Sequence, residues 1–142
     1  MKKIIKFLTV FSILTGFTYA STDIKANENE ISPKAAIITV DVDTYSDITY
    51  GISSDGSGPT ITARVYFKGT YQKNQYGSIS SVNISITVAR IGGTANSSYQ
   101  PYIAETNRTL NSGSITYNIT LGAKNGSICT YYAIPPKVTK TV

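Results

Sequence analysis

The chain has 142 residues, enough for one domain, and no histidine, which excludes catalysis or zinc binding that depends on an imidazole. Its single cysteine, Cys129, excludes an intrachain disulfide, so apolar packing and sheet hydrogen bonds must hold the core, which fits a secreted bacterial protein better than a eukaryotic one. Three of the 13 basic residues lie within positions 1–20, and the ten that remain against eight acids leave a net charge of about +2, too weak and scattered to predict a nucleic-acid partner.

The first twenty residues have the features of a cleavable secretory signal peptide. Lys2, Lys3 and Lys6 precede an apolar run over residues 7–17, and Thr18 and Ala20 place small residues at the two positions that a signal peptidase reads. The run is shorter than the ~20 residues of a spanning helix. We therefore expect a secreted, extracellular protein with no stable membrane insertion.

The rest of the chain divides into three parts by composition. Residues 21–33 are polar and are predicted to form a flexible leader, and residues 137–142 a disordered tail. The segment between them, residues 34–136, is predicted to be a single β domain, since apolar and polar residues alternate there with a period of two. Strands are predicted over residues 36–42, 45–52, 60–71, 78–90, 99–110, 114–121 and 128–134.

Two loops predict antiparallel hairpins. A turn centred near Asn74 and Gln75 would place Val65 opposite Ile84 and Phe67 opposite Val82, so that the apolar faces coincide.

The pair Asn125-Gly126 is a strong signal for a tight turn. With these two residues at its centre, Ala123 would face Ile128, and Cys129 and Tyr131 would lie on the outer face of the sheet.

No segment shows a helical period, and about seven short strands separated by turns predict an all-β fold. We expect an antiparallel β-sandwich that is immunoglobulin-like, with a small closed barrel as the alternative.

Tyrosine is the enriched residue, and it suits both recognition surfaces and half-buried strand positions. Tyr66 is predicted to face outward, between Arg64 and Lys68 and opposite Asn83, with Ser85 beside it. These five residues form the predicted binding surface, although the sequence favours an ordinary solvated sheet exterior, because cross-strand pairs of Tyr, Asn and Ser are common in sheets.

Other chemistry finds less support in the sequence. Asp41, Asp43 and Asp47 are possible calcium ligands, but they lack the remaining ligands of a calcium loop and are better explained as acids that end a strand. No cofactor or metal is expected, and a small sandwich rarely supplies the deep cleft that a pair of catalytic carboxylates needs. We therefore expect a protein that is not an enzyme.

The sequence leaves three functions open. The first is a secreted binding or adhesion module whose partner is a cell-surface or extracellular glycan or protein. The second is a membrane-active, pore-forming toxin, because alternating aliphatic and hydroxyl residues also occur in membrane-inserting hairpins. The third is a structural subunit whose exposed strand edges join neighbouring subunits in a surface assembly.

Overall fold

The computed structural model describes residues 34–142, so the predicted signal peptide and leader lie outside the described residues. The described chain contains strands and no helix long and apolar enough to cross a membrane. Its strands are β1 (Ile37–Gly51), β2 (Thr60–Asn74), β3 (Ile79–Gly92), β4 (Tyr99–Asn111), β5 (Ser114–Asn125), β6 (Ile128–Cys129) and β7 (Lys137–Thr141).

These strands form two antiparallel sheets that share one hydrophobic core, which confirms the β-sandwich. The first sheet has the order β1-β2-β3; in the second sheet, β5 pairs with β4 on one side and with β6 and β7 on the other. The alternative of a closed barrel is wrong, because the described strands divide into two separate sheets. Within residues 34–142 the chain crosses between the sheets once, from β3 to β4, whereas the chain of an immunoglobulin domain crosses between its sheets several times.

Strand β1 is one continuous strand of 15 residues, so the prediction of two strands over residues 36–42 and 45–52 is wrong. The polar residues Thr44 and Ser46 made the apolar pattern appear to stop. Both are half-buried, because they occupy the inward positions between Val42 and Ile48 and keep the same alternation.

The predicted register of the β2–β3 hairpin is wrong by four residues. Val65 lies opposite Val88, and Phe67 lies opposite Ile86. The turn is centred further along the chain than predicted, because the Asn74 side chain accepts hydrogen bonds from the backbone N–H groups of Tyr76 and Ser78, at 2.9 Å each. A shift of four residues preserves the period of two, so the apolar face of β3 still points toward the core.

The turn after β5 is also displaced from the predicted position. Asn125 lies opposite Ile128, which makes Gly126 and Ser127 the central residues, and Gly126 supplies the positive φ of +60° that the turn needs. Ile128 was predicted to face Ala123, but it lies beyond the core and is 78% exposed.

The prediction of a disordered tail over residues 137–142 is wrong. Strand β7 pairs with β5, placing Val138 opposite Ile119, and Val138 is buried. Pro135 and Pro136 therefore interrupt the pairing with β5 without ending it, since the Pro136 carbonyl accepts a hydrogen bond from the Leu121 N–H at 2.9 Å.

The core is formed by the inward faces of the central strands β2 and β5, where Phe67 packs against Tyr117 with ring centroids 5.7 Å apart. Three inward tyrosine hydroxyls then tie the two sheets together by donating to backbone carbonyls. Each hydrogen bond is 2.9 Å long: Tyr50 to Gly122, Tyr132 to Gly51, and Tyr71 to Gly113.

The buried Tyr50 hydroxyl should make stability depend on alkaline pH. Burial, followed by the neighbouring Tyr132, raises the pKa of Tyr50, whereas a tyrosine in the unfolded chain ionises near pH ~10. The unfolded state thus releases this proton at lower pH than the folded state, so the stabilisation is complete below pH ~10 and is lost as the pH rises further. We expect Tyr50→Phe to reduce the fall in urea midpoint between about pH 9 and pH 11.

The matched control is Tyr76→Phe, which removes a hydroxyl from a residue that is exposed in the β2–β3 turn. In this variant the urea midpoint should fall with pH as it does in the wild type. If the urea midpoint falls with pH equally in Tyr50→Phe and Tyr76→Phe, the buried hydroxyl does not have the proposed role.

Candidate functional site

The five residues of the predicted binding surface lie on the outer face of the first sheet. Tyr66 lies opposite Thr87 on β3, so the predicted Tyr66–Asn83 pair is wrong and follows from the four-residue register error. Ser85 lies opposite Lys68, and Asn83 lies opposite Thr70. The residues therefore share one face, but they are spread along it in separate rows.

Both cations of this surface are already paired. The Arg64 guanidinium donates two hydrogen bonds to the Asp47 carboxylate, at 2.7 and 2.8 Å, and its carbon lies 3.9 Å from the ring centroid of Tyr45. This hydrogen bonding lowers the pKa of Asp47 and raises the pKa of Arg64. Lys68 lies 3.4 Å from Asp43. The surface is thus a flat, internally neutralised face with Tyr45 as an added aromatic neighbour of Tyr66, at 6.4 Å between centroids.

The possible calcium ligands are not assembled into a site. Asp41, Asp43 and Asp47 follow one another along the continuous strand β1, and the last two contact Lys68 and Arg64. In residues 34–142, no three acidic, cysteine or histidine side chains come close enough together to hold a metal ion.

A pocket of about 160 Å³ lies in the second sheet, where the sequence predicted no site. It forms around Gly122, a position of β5 that carries no side chain. The Tyr102 ring lies directly over this glycine, so closely that a Cβ at residue 122 would come within 2.4 Å of the ring. Most of its lining is aromatic or apolar, with two threonines, and we call it the tyrosine pocket: Tyr102, Ala104, Thr120, Leu121, Gly122, Thr130, Tyr131, Tyr132 and Pro135.

The segment between β6 and β7 supplies one wall of the tyrosine pocket. It leaves β5 after the Thr130 N–H donates to the Ala123 carbonyl at 2.8 Å, and it returns at Pro136. Between these two contacts, Tyr132 points inward and is buried, whereas Tyr131 points outward and is 84% exposed. The outward position predicted for Tyr131 is confirmed.

The rim of the tyrosine pocket carries a thiol and a cation. The outward position predicted for Cys129 is confirmed, since the cysteine is exposed, and it lies opposite Lys124. A hydrogen bond with its thiol, followed by burial, raises the pKa of the Tyr102 hydroxyl. The Lys124 ammonium lies 5.9 Å from the Tyr102 ring centroid.

Two signals in the sequence point to this pocket, although neither is specific. Gly122 breaks the alternation of β5, and a lone glycine in a strand indicates a close approach by another group. Pro135 and Pro136 follow Tyr131 and Tyr132 after two intervening residues, which is consistent with an irregular segment that presents aromatic side chains.

Comparisons with protein-family models, with curated proteins and with solved structures found no match to this chain.

Proposed function

We propose that the protein is a secreted, non-catalytic module that binds an extracellular glycan in the tyrosine pocket. The observation that carries the proposal is the aromatic lining of the pocket, to which the exposed Tyr131 and the Tyr102 ring over Gly122 both contribute. Export rests on the signal-like residues 1–20.

The size and chemistry of the pocket favour a sugar ring. Its volume of about 160 Å³ is below the ~300–1,000 Å³ of sites for drug-sized ligands, so it accepts one ring of a longer chain. Tyrosine rings offer flat apolar faces against which the C–H face of a sugar packs, and a hydroxyl at the edge. Thr120 and Thr130 add neutral hydroxyls that can exchange hydrogen bonds with sugar hydroxyls.

A protein partner would use a different part of the same segment. Ile128 and Ile134 are 78% and 87% exposed, and neither lines the pocket. A protein interface of standard size buries about 800 Å² on each side and would cover these side chains, whereas a sugar ring in the pocket would leave them exposed. Ile134→Ser therefore separates the two partners.

The outer face of the first sheet is a second candidate surface, around Tyr66, Arg64, Lys68, Asn83 and Ser85. It is flat and rich in hydroxyls, which suits an extended polysaccharide lying across the strands. Its paired cations leave it without a free positive charge for an acidic ligand.

A glycan array, followed by isothermal titration with the glycan that binds, tests the proposal. We expect Tyr131→Ala to weaken binding about tenfold, because it removes an exposed aromatic wall worth ~1.4 kcal/mol. Tyr66→Ala should leave the affinity unchanged if the tyrosine pocket is the site. Tyr76→Ala is the matched control, since Tyr76 is also exposed but lies in the β2–β3 turn.

Three results would count against the proposal. Failure to bind any glycan would contradict the proposed function. A loss of affinity in Tyr66→Ala but not in Tyr131→Ala would place the glycan site on the first sheet instead. A cell-surface partner whose binding is abolished by Ile134→Ser and unaffected by Tyr131→Ala would be a protein.

A further inference from the structure

Strand β3 is an edge of the first sheet, and within the described chain it pairs with β2 alone. An edge strand presents unpaired N–H and C=O groups that can pair with another chain, so folded proteins usually protect their edges with charges, proline or short strands. Residues 78–89 contain no charged residue, no proline and no glycine. This edge therefore lacks the usual sequence-level protection.

The other edge strands of the sandwich all carry such protection. Strand β1 presents three aspartates, and β4 contains Pro101, Glu105 and Arg108. Strands β6 and β7 have only two and five residues. The contrast singles out β3, which is 14 residues long.

The inward face of β3 is also incompletely covered. Its aliphatic side chains are half-buried along the whole strand, whereas the inward side chains of the neighbouring β2 are fully buried, as at Val65 and Phe67. The half-buried set is Val82, Ile84, Ile86 and Val88. One more strand beside β3 would cover these side chains and would satisfy its free backbone groups.

We propose that this strand is supplied by a second copy of the chain. The β3 strands of the two copies then pair antiparallel and join the β1-β2-β3 sheet of each copy into one six-stranded sheet. The pattern of β3 is self-complementary in this arrangement. With Ser85 opposite Ser85 of the other copy, Val82 faces Val88 and Ile84 faces Ile86, and the polar residue Asn83 faces Thr87. No charge opposes a like charge within residues 81–89, and each of the four inward Val and Ile side chains faces another.

Sedimentation equilibrium of the purified protein from micromolar to millimolar concentration tests this proposal. We expect a monomer–dimer equilibrium in the wild type. Ser85→Lys should raise the dissociation constant at least tenfold, because it places two lysines opposite each other at the centre of the pair. Thr39→Lys is the matched control, since it adds the same charge at an exposed position on β1, and it should leave the equilibrium unchanged.

Hydrogen exchange provides a readout that does not depend on a variant. Amides of β3 should become more protected as the protein concentration rises, whereas amides of β4 should not. A strict monomer over the whole range, or a dimer that Ser85→Lys and Thr39→Lys affect equally, would overturn the proposal. Either result leaves the glycan proposal intact, because the tyrosine pocket lies in the second sheet.

Discussion

Arg90→Ala is expected to lower the free energy of unfolding by about 3 kcal/mol, because one guanidinium donates three half-buried hydrogen bonds and one exposed hydrogen bond. Arg90 ends the alternating part of β3 and donates hydrogen bonds to the backbone carbonyls of the connection that leads into the second sheet. The acceptors are the carbonyls of Gly92 at 3.1 Å, Asn96 at 2.6 Å, Tyr99 at 2.9 Å and Ala95 at 2.5 Å. Without Arg90, these carbonyls lose a charged donor at the β3–β4 crossing, the only one between the sheets in the part of the chain that the structure describes.

Urea unfolding followed by far-ultraviolet circular dichroism measures this effect. Arg90→Lys should also destabilise, since an ammonium cannot present the planar fork of donors that reaches four carbonyls. Arg64→Ala is the matched control, because its guanidinium pairs with the surface carboxylate of Asp47 and such pairs contribute little. If Arg90→Ala lowers the free energy of unfolding no more than Arg64→Ala does, the stability of the β3–β4 connection does not depend on Arg90.

Gly122→Ala is expected to weaken glycan binding about thirtyfold or more while the protein stays folded, since losing a central contact costs about 2 kcal/mol. The added Cβ would lie 2.4 to 2.6 Å from the outer atoms of the Tyr102 ring. These atoms are the far end of a side chain that can turn aside, so the backbone need not shift. Turning the ring displaces one wall of the tyrosine pocket.

The matched control is Gly92→Ala in β3, where an added Cβ has its nearest neighbour at 3.7 Å. This variant should bind as the wild type does. If Gly122→Ala binds as tightly as Gly92→Ala, with both folded, the Tyr102 wall is not part of the glycan site.

The period of two was sufficient to predict the sandwich and the inward faces of the strands. It could not determine which residues lie opposite each other, because a shift of any even number of residues leaves the apolar faces matched. The side chain of Asn74 decides the register of the β2–β3 hairpin through two local hydrogen bonds. The predicted residues Tyr66 and Asn83 were therefore placed on the correct face but in the wrong row.

The tyrosine pocket and the role of Arg90 could not be predicted, because each depends on contacts between distant parts of the chain. The pocket needs the segment around Tyr131 to return to β5 after Pro136, and the prediction ended the sheet at those prolines. Val138, the one large apolar residue within β7, gave too short a pattern to predict a strand. Arg90 looks like any exposed arginine in the sequence, since its partners are backbone carbonyls.

Titration of isotope-labelled protein with the glycan identified on the array, followed by amide nuclear magnetic resonance, tests the binding site most directly. We predict that the amide signals of Thr120, Gly122, Thr130 and Tyr131 shift in proportion to occupancy. Signals of the first sheet, at Asn83, Ser85 and Thr87, should stay in place. Shifts confined to those three residues, with the signals around Gly122 unchanged, would contradict the tyrosine pocket as the glycan site.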